Sequence, residues 1–214
     1  MSWSLASLVL LGACLACGFA WYERTQPNSR TLALVATLAA LAAIGRIAFA
    51  PIPNVKPTTD IVLIAGFALG AAPGFTIGAV AALASNIVFS QGPWTPWQMV
   101  AWGLAGLAGA GLGALTGRRV SRLVLALACG LMGLVFGAIM DLSIWVNVAE
   151  HPTLAHYLTI AGTSLPFNIA HAAGNVVFAP PTSRLTSPLS LQRDRARRPA
   201  ASSRGCLSTR ARRS

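Results

Sequence analysis

Charged side chains are scarce in this sequence. Only 10% of its 214 residues are Asp, Glu, Lys or Arg, and just five of them are acidic. A soluble domain usually carries about 25% charged residues, so the composition excludes an ordinary soluble domain. Hydrophobic residues make up 55% of the chain, and the mean hydropathy is +0.63. We therefore predict an all-α membrane protein whose apolar helices cross the bilayer.

The shortage of acids also argues against an enzyme. Outside the C-terminal tail the acidic residues are Glu23, Asp60, Asp141 and Glu150, and no two have the spacing of a general acid–base pair. The chain has no nucleophile motif and no glycine-rich phosphate loop with a lysine. We expect no catalytic residue, no cofactor and no ATP hydrolysis by this chain, and interpret Asp141 as a hydrogen-bonding group inside the bundle.

Metal ligands and disulfide pairs are equally sparse. The chain has three histidines and four cysteines. Cys14 and Cys17 form a CxxC inside the apolar run SLVLLGACLACGFAW, where small side chains favour a helix contact over redox or metal chemistry. His151 and His156 have no carboxylate or cysteine arranged beside them as further ligands. The sequence predicts no metal site and no disulfide framework.

Long apolar runs are what the sequence does contain. There are seven, at 3–22, 31–50, 59–72, 74–90, 97–117, 122–147 and 163–179. The third and fourth are joined at 71–74 through Pro73 and Gly74, which suit a tight turn between helices. We interpret the first as a retained helix, because no basic segment precedes it and its charges follow it.

The chain accordingly divides into three parts: an N-terminal helix and loop at 1–30, a membrane domain at 31–179, and a basic tail at 180–214. The tail holds nine arginines and one acid. We predict that the tail is disordered and binds no nucleic acid. The alternative is that its arginines bind anionic lipid or nucleic acid, as basic tails can. The abrupt change of composition near Pro180 suggests a frameshift or a divergent C-terminus.

Arginines near the helix ends predict the orientation in the plasma membrane, because positively charged loops stay in the cytoplasm. With seven helices, the arginines near residues 24–30 and 118–122 and those of the tail share one side. The N-terminus is then outside, the C-terminus is cytoplasmic, and 50–58, 91–96 and 148–162 are outer loops. Arg46 and Lys56 approach the outer face against this rule, so either they have a specific role or they are ordinary exceptions.

Polar side chains at membrane depth need partners, so they mark either packing or a ligand path. Four clusters stand out: Lys56 with Asp60, which an early helix start would pair; Ser85 with Asn86; Gln91, Trp94, Trp97, Gln98 and Trp102; and Asn168, His171 and Asn175 along one helical face. The third cluster lies on FSQGPWTPWQ at 89–98. Its tryptophans are either interface anchors or flat surfaces for a ring-containing ligand, and its prolines and amides favour the ligand.

Three ordered motifs, PNVKPTTD, FSQGPWTPWQ and LPFNIAHAAGN, resemble the substrate-binding S components of energy-coupling factor (ECF) transporters. The similarity covers about residues 31–178 and looks closest to the cobalamin-like vitamin branch. It implies a six-helix bundle, here with one extra N-terminal helix, that captures a vitamin at its outer side. The candidate contacts are Asn54, Lys56, Asp60, Asn86, Gln91, Trp94, Trp97, Gln98, Trp102, Asn168, His171 and Asn175.

The same resemblance implies partners: a membrane-embedded T component and two ATPase subunits. An AxxxA pattern on the first core helix contacts the T component in that family. Two pairs fit here, Ala36/Ala40 and Ala39/Ala43, and the sequence does not choose between them. Two other hypotheses stay open at this point: a membrane-embedded enzyme acting on a lipid, for which we find no DxxxD motif, and a structural membrane protein with a basic tail.

Overall fold

A computed structural model of the chain describes residues 3–148 and 153–179. These residues form seven helices and no strand, which confirms the predicted all-α membrane class. The helices are α1 (Trp3–Arg24), α2 (Ser29–Ala48), α3 (Thr58–Leu69), α4 (Ala71–Phe89), α5 (Thr95–Leu115), α6 (Arg122–Val148) and α7 (Leu154–Phe178). The basic tail predicted at 180–214, together with Glu150 and His151, lies outside the described residues.

Five helices, α1, α2, α4, α5 and α6, are long and apolar enough to cross a membrane. Helix α3 is apolar but has only 12 residues, or about 18 Å at the α-helical rise, so it cannot cross the bilayer core alone. Helix α7 carries too many polar residues to be counted among the candidate spans. The seven predicted apolar segments therefore correspond to seven helices, but not to seven independent spans.

The break between α3 and α4 is a single residue, Gly70. Its φ of 102° lies in the left-handed region that glycine adopts without steric cost. The prediction that Pro73 lies in the connection between the two helices was wrong, because Pro73 belongs to the first helical turn of α4. A proline is tolerated there because the first amide groups of a helix have no intrahelical acceptor.

Helix α7 begins at Leu154, so the prediction of an outer loop through residue 162 was wrong. Thr153 caps the helix, since its side chain accepts a hydrogen bond from the amide of His156. The Trp145 indole nitrogen donates a hydrogen bond of 2.9 Å to the Thr153 carbonyl. The first three turns mix apolar residues with His, Tyr, Thr and Ser, and they are mostly exposed. Apolar character alone therefore failed to reveal them, and a capping threonine was the missed signal.

Helices α2 to α5 form one closely packed unit, which we call the body (29–115). Its helices meet at glycines: a Cβ at Gly66 would overlap the Gly106 carbonyl, and one at Gly109 would overlap the Leu63 carbonyl. Small residues at these positions let the backbones touch where lipid provides little drive for association. Helix α1 packs on α4 and α5, with Phe19 edge-on to Phe75 at 6.4 Å.

Helices α6 and α7 form an antiparallel pair, which we call the hairpin (122–178). Its two helices pack mainly on each other. The N-terminal half of α6 joins the core of the body through Leu125, Cys129 and Met132. Helix α7, in contrast, buries only His171, Gly174 and Asn175 among the helix residues described. Away from these contacts the hairpin and the body leave a space between them.

Candidate functional site

That space is a cavity of about 230 Å³ between the body and the hairpin. Five of its wall residues come from the body, two of them from the loop between α2 and α3, and five come from the hairpin. They are Arg46, Asn54, Lys56, Gln98, Trp102, Phe136, Gly137, Met140, Asn168 and His171. Positive, amide and aromatic groups therefore converge on one small volume, as in binding sites for small polar ligands.

Arg46 occupies the body side of the cavity and is 6% exposed. Its Nη1 donates to Ser85 Oγ at 2.7 Å and to Asn86 Oδ1 at 2.6 Å. The guanidinium carbon lies 4.8 Å from the Phe89 ring centre and 4.9 Å from the Trp102 ring centre. These contacts hold the guanidinium in place, since cation–π and hydrogen-bond geometry both restrict it.

Asn86 connects Arg46 to the next wall residue. Its Nδ2 donates to Thr95 Oγ1 at 3.0 Å and to Gln98 Oε1 at 2.8 Å. Because the Gln98 oxygen is engaged in this way, the orientation of its amide is fixed. No described residue accepts a hydrogen bond from the Gln98 amide nitrogen, which leaves that donor for the cavity.

The loop FSQGPWTPWQ supports this network more than it lines the cavity. Thr95 donates to Gln91 Oε1 at 3.0 Å and accepts from the Gly92 amide at 3.2 Å, and Gln91 Nε2 donates to the Leu83 carbonyl. Trp94 is 40% exposed and its ring lies against Gly92, as an interface anchor would. Trp97 is buried away from the cavity, and its indole nitrogen has no described partner.

Trp102 and His171 join the body to the hairpin through Thr59. The Trp102 indole donates to Thr59 Oγ1 at 3.2 Å, and Thr59 Oγ1 lies 3.0 Å from His171 Nε2. The Thr59 hydroxyl has two acceptor lone pairs and one hydrogen, so its bond to His171 forms with either imidazole tautomer, and the tautomer sets which partner donates. Phe136 packs 4.5 Å from the Trp102 ring centre and 5.2 Å from that of His171.

Asn168 is held from within the hairpin. Its Nδ2 donates to Asp141 Oδ2 at 3.0 Å, and Ser164 Oγ donates to the same oxygen at 2.8 Å. A Cβ at Gly137 would overlap the Asn168 side chain, so glycine there makes room for the amide. The predicted role of Asp141 as a hydrogen-bonding group inside the bundle is confirmed.

Six of the twelve predicted contact residues lie on the cavity wall: Asn54, Lys56, Gln98, Trp102, Asn168 and His171. Asn86, Gln91, Trp94, Trp97, Asp60 and Asn175 do not. Asn86 and Gln91 are supporting residues, as described above. Asn175 donates to the Cys129 carbonyl at 3.1 Å and joins α7 to α6. Whether any of the twelve binds a ligand remains a prediction.

The pair of Lys56 and Asp60 is not formed. Helix α3 begins at Thr58, so Lys56 precedes the helix and the i, i+4 geometry does not apply. Both carboxylate oxygens of Asp60 are buried, and the Cys129 side chain of α6 lies beside them. Lys56 instead places its Nζ 5.7 Å from the Phe89 ring centre. Among the residues described, no cluster of His, Cys, Asp or Glu could hold a metal ion.

Four wall residues were missing from the predicted contacts: Arg46, Phe136, Gly137 and Met140. Arg46 did carry a signal, because it is a positive charge near the outer end of an apolar helix. The other three lie in the run LMGLVFGAIM, where nothing distinguishes a residue that faces the cavity from one that faces lipid.

The structure also separates the two alanine pairs on α2. Ala39 and Ala43 are buried at 1% and 6% exposure, where they pack inside the body. Ala36 and Ala40 lie beside this buried stripe, at the edge of the same helical face, and are exposed. Only Ala36 and Ala40 are therefore accessible to another membrane protein.

Comparison with known proteins gives one match. The model of a family described as "ECF transporter, substrate-specific component" matches residues 30–183. This range holds the body except its first residue, the hairpin and every cavity wall residue, and it leaves α1 outside. No similar curated protein was found, and no similar solved structure was found.

Proposed function

The chain belongs to the family of substrate-specific components of ECF transporters, and on that premise we propose that it captures a vitamin or related small molecule in the cavity between body and hairpin. The captured molecule would then be taken up by partner subunits, a T component and two ATPases, in keeping with the family. The family is one of transport components, so we propose no catalytic step for this chain.

The observation that carries this proposal is the construction of the cavity wall. Gln98, Trp102 and Asn168 are each held by hydrogen bonds to residues behind the wall. Polar side chains fixed in this way present their remaining groups in one geometry, which lowers the entropy cost of binding a ligand. A gap left by imperfect packing would not be expected to have such support on both sides.

The cavity volume favours a small cargo. Pockets for drug-sized ligands span roughly 300–1,000 Å³, and the cavity of about 230 Å³ lies just below that range. A single- or double-ring molecule suits this volume, whereas a corrinoid would require the hairpin to move outward. The cobalamin-like branch therefore remains a prediction from the resemblance, and the volume supports a smaller vitamin.

We further propose that Ala36 and Ala40 form the contact with the T component, since they are the exposed pair on α2. The orientation predicted from the arginines, with the N-terminus outside and the cavity near the outer face, is part of the same proposal. Replacing both alanines by leucine should abolish co-purification with a T component while leaving ligand binding unchanged.

Mass spectrometry of small molecules released from the purified, detergent-solubilised protein tests the proposed function. We expect one compound in near-stoichiometric amount, and its loss when Trp102 is replaced by alanine in a preparation that remains folded. A folded protein without any released compound, from cells supplied with a vitamin mixture, would contradict the proposal.

A further inference from the structure

The cavity wall carries two positive charges, Arg46 and Lys56, and no carboxylate of the described residues is paired with either of them. The Arg46 guanidinium donates to a hydroxyl and an amide oxygen, both neutral. Lys56 has a ring contact with Phe89 but no acceptor among the described residues. Burial and the neighbouring Arg46 guanidinium both lower the pKa of Lys56.

Each acidic side chain within the described residues lies away from the wall. Glu23 is exposed at the end of α1. Asp60 is buried in the first turn of α3 and is absent from the cavity wall. Asp141 lies behind Asn168 and is engaged by two neutral donors. The wall therefore has a formal charge of +2 with no carboxylate on it.

This arrangement is costly for the empty protein. Two like charges in a partly buried site repel each other, and each also loses hydration. A bound anion would supply the missing acceptor for both cations and form charge-assisted hydrogen bonds, which are the strong ones in proteins. The site should therefore bind an anion more tightly than a neutral molecule of the same shape, because the neutral molecule would leave both charges uncompensated.

We propose that the cargo is an organic anion whose carboxylate or phosphate group lies between Arg46 and Lys56. This inference rests on the proposed function and adds the chemical class of the ligand. The remainder of the molecule faces Phe136 and Met140 on the hairpin. Gln98 supplies an amide donor at the side of the anion, so the acidic group is recognised from the body and the apolar part from the hairpin.

The test begins with the compound released from the purified full-length protein, scored for an acidic group by mass spectrometry. The same protein, depleted of that compound, is then titrated with biotin and its primary amide, with nicotinate and nicotinamide, and with inorganic phosphate. Each pair differs in charge and hardly in shape. We expect the acid of a pair to bind and its amide to bind at least tenfold more weakly, since an uncompensated buried cation costs this much or more.

Lys56→Gln is the decisive variant, because Lys56 precedes α3 and no hydrogen bond holds it, so folding does not depend on it. It should weaken acid binding by about tenfold or more and leave amide binding unchanged. Lys56→Arg should retain most of the affinity for the acid. Arg24→Gln, which removes an exposed charge at the far end of α1, should behave as wild type.

The outcomes separate the two proposals. A released acid, or a preference for acids that Lys56→Gln removes, supports the anion, and binding of phosphate but of neither carboxylate identifies a phosphorylated cargo. A neutral or cationic compound, or equal affinity for acid and amide, would overturn the anion while the capture function stands. No released compound and no binding of any probe to a folded protein would overturn the proposed function, and this inference with it.

Discussion

The body and the hairpin are built by different means, although each supplies half of the cavity wall. In the body, backbones touch at glycines, and residues such as Val62 and Ala81 are completely buried. In the hairpin, α7 is mostly exposed, and it is connected to α6 by polar contacts such as those of Asp141 and Asn175. The body therefore provides a half of the site that is enclosed by a buried core. The hairpin provides a half whose helix α7 is largely exposed, although it packs on α6 at Gly133 and through these hydrogen bonds.

This difference suggests that the body determines which ligand binds, whereas the hairpin moves to admit it. The cations and the Gln98 amide belong to the body and its adjoining loop, where their geometry does not depend on the ligand. Phe136, Met140 and Asn168 belong to the hairpin, whose helix α7 buries only His171, Gly174 and Asn175 among the helix residues described. Local stability follows buried contact, so movement that admits a ligand should occur in the hairpin.

The largest effect should come from Gly109→Ala in the body. The added Cβ would overlap the Leu63 carbonyl, and backbone cannot move aside as a side chain can, so we expect a loss of about 3 kcal/mol or more. Gly111→Ala is the matched control on the same helix, since a Cβ there meets nothing within 4 Å. Thermal unfolding in detergent measures both, and similar melting temperatures would show that the body is less tightly packed than described.

The next effect should come from Asp141→Ala in the hairpin. The change removes the acceptor for both Ser164 and Asn168, and hydrogen bonds to charged groups are worth about 1.5–3 kcal/mol each. We expect faster hydrogen exchange in α7, unchanged exchange in α4, and weaker binding of the cargo. Equal acceleration in both helices would mean that body and hairpin unfold as one unit.

Thr59→Val should have a smaller effect, confined to the contact between the two regions. The isosteric valine removes the bridge from Trp102 to His171 and leaves buried groups unpaired, at a cost of about 1–3 kcal/mol. Thr58→Val is the control, because the Thr58 hydroxyl bonds only to the Ala42 carbonyl inside the body. Isothermal titration with the released cargo should show reduced affinity for Thr59→Val alone.

The smallest effect should be a gain in stability from Lys56→Gln in the ligand-free protein, about 1–3 °C in Tm at pH 7. The pKa of Lys56 in the folded protein is lowered below its usual 10.5, so carrying the charge disfavours the folded state. That penalty is complete below the folded-state pKa and disappears as pH rises toward the unfolded value. The difference between variant and wild type should therefore shrink at alkaline pH, and an unchanged difference would exclude this cause.

Much of the fold could be predicted because composition and apolar length respond directly to the bilayer. The seven helices and the membrane class follow from that, and the family resemblance is confirmed by the match over 30–183. The start of α7 was missed because its first turns mix polar with apolar residues and form no continuous apolar run. The break between α3 and α4 was predicted at Pro73 instead of Gly70, because proline is common both in loops between helices and at the first positions of a helix.

The site was harder to predict than the fold. Polar residues in an apolar chain must be satisfied, but the sequence does not say by what. For Gln91 and Asn86 the answer is other side chains of the protein, whereas Gln98 and Lys56 have groups directed at the cavity. Only the packing of α6 against Trp102 shows that Phe136 and Met140 face the cavity and not the lipid.

Helix α2 has a consequence for how occupancy could be sensed. It carries Arg46 on the cavity wall and Ala40 on the outward face, six residues apart, which is about 9 Å along the helix axis. A helix without an internal proline or kink transmits a tilt along its length as a rigid lever. If capture of the cargo tilts α2 as a whole, the tilt would also change the angle at which Ala36 and Ala40 meet a neighbour, because no loop lies between these alanines and Arg46.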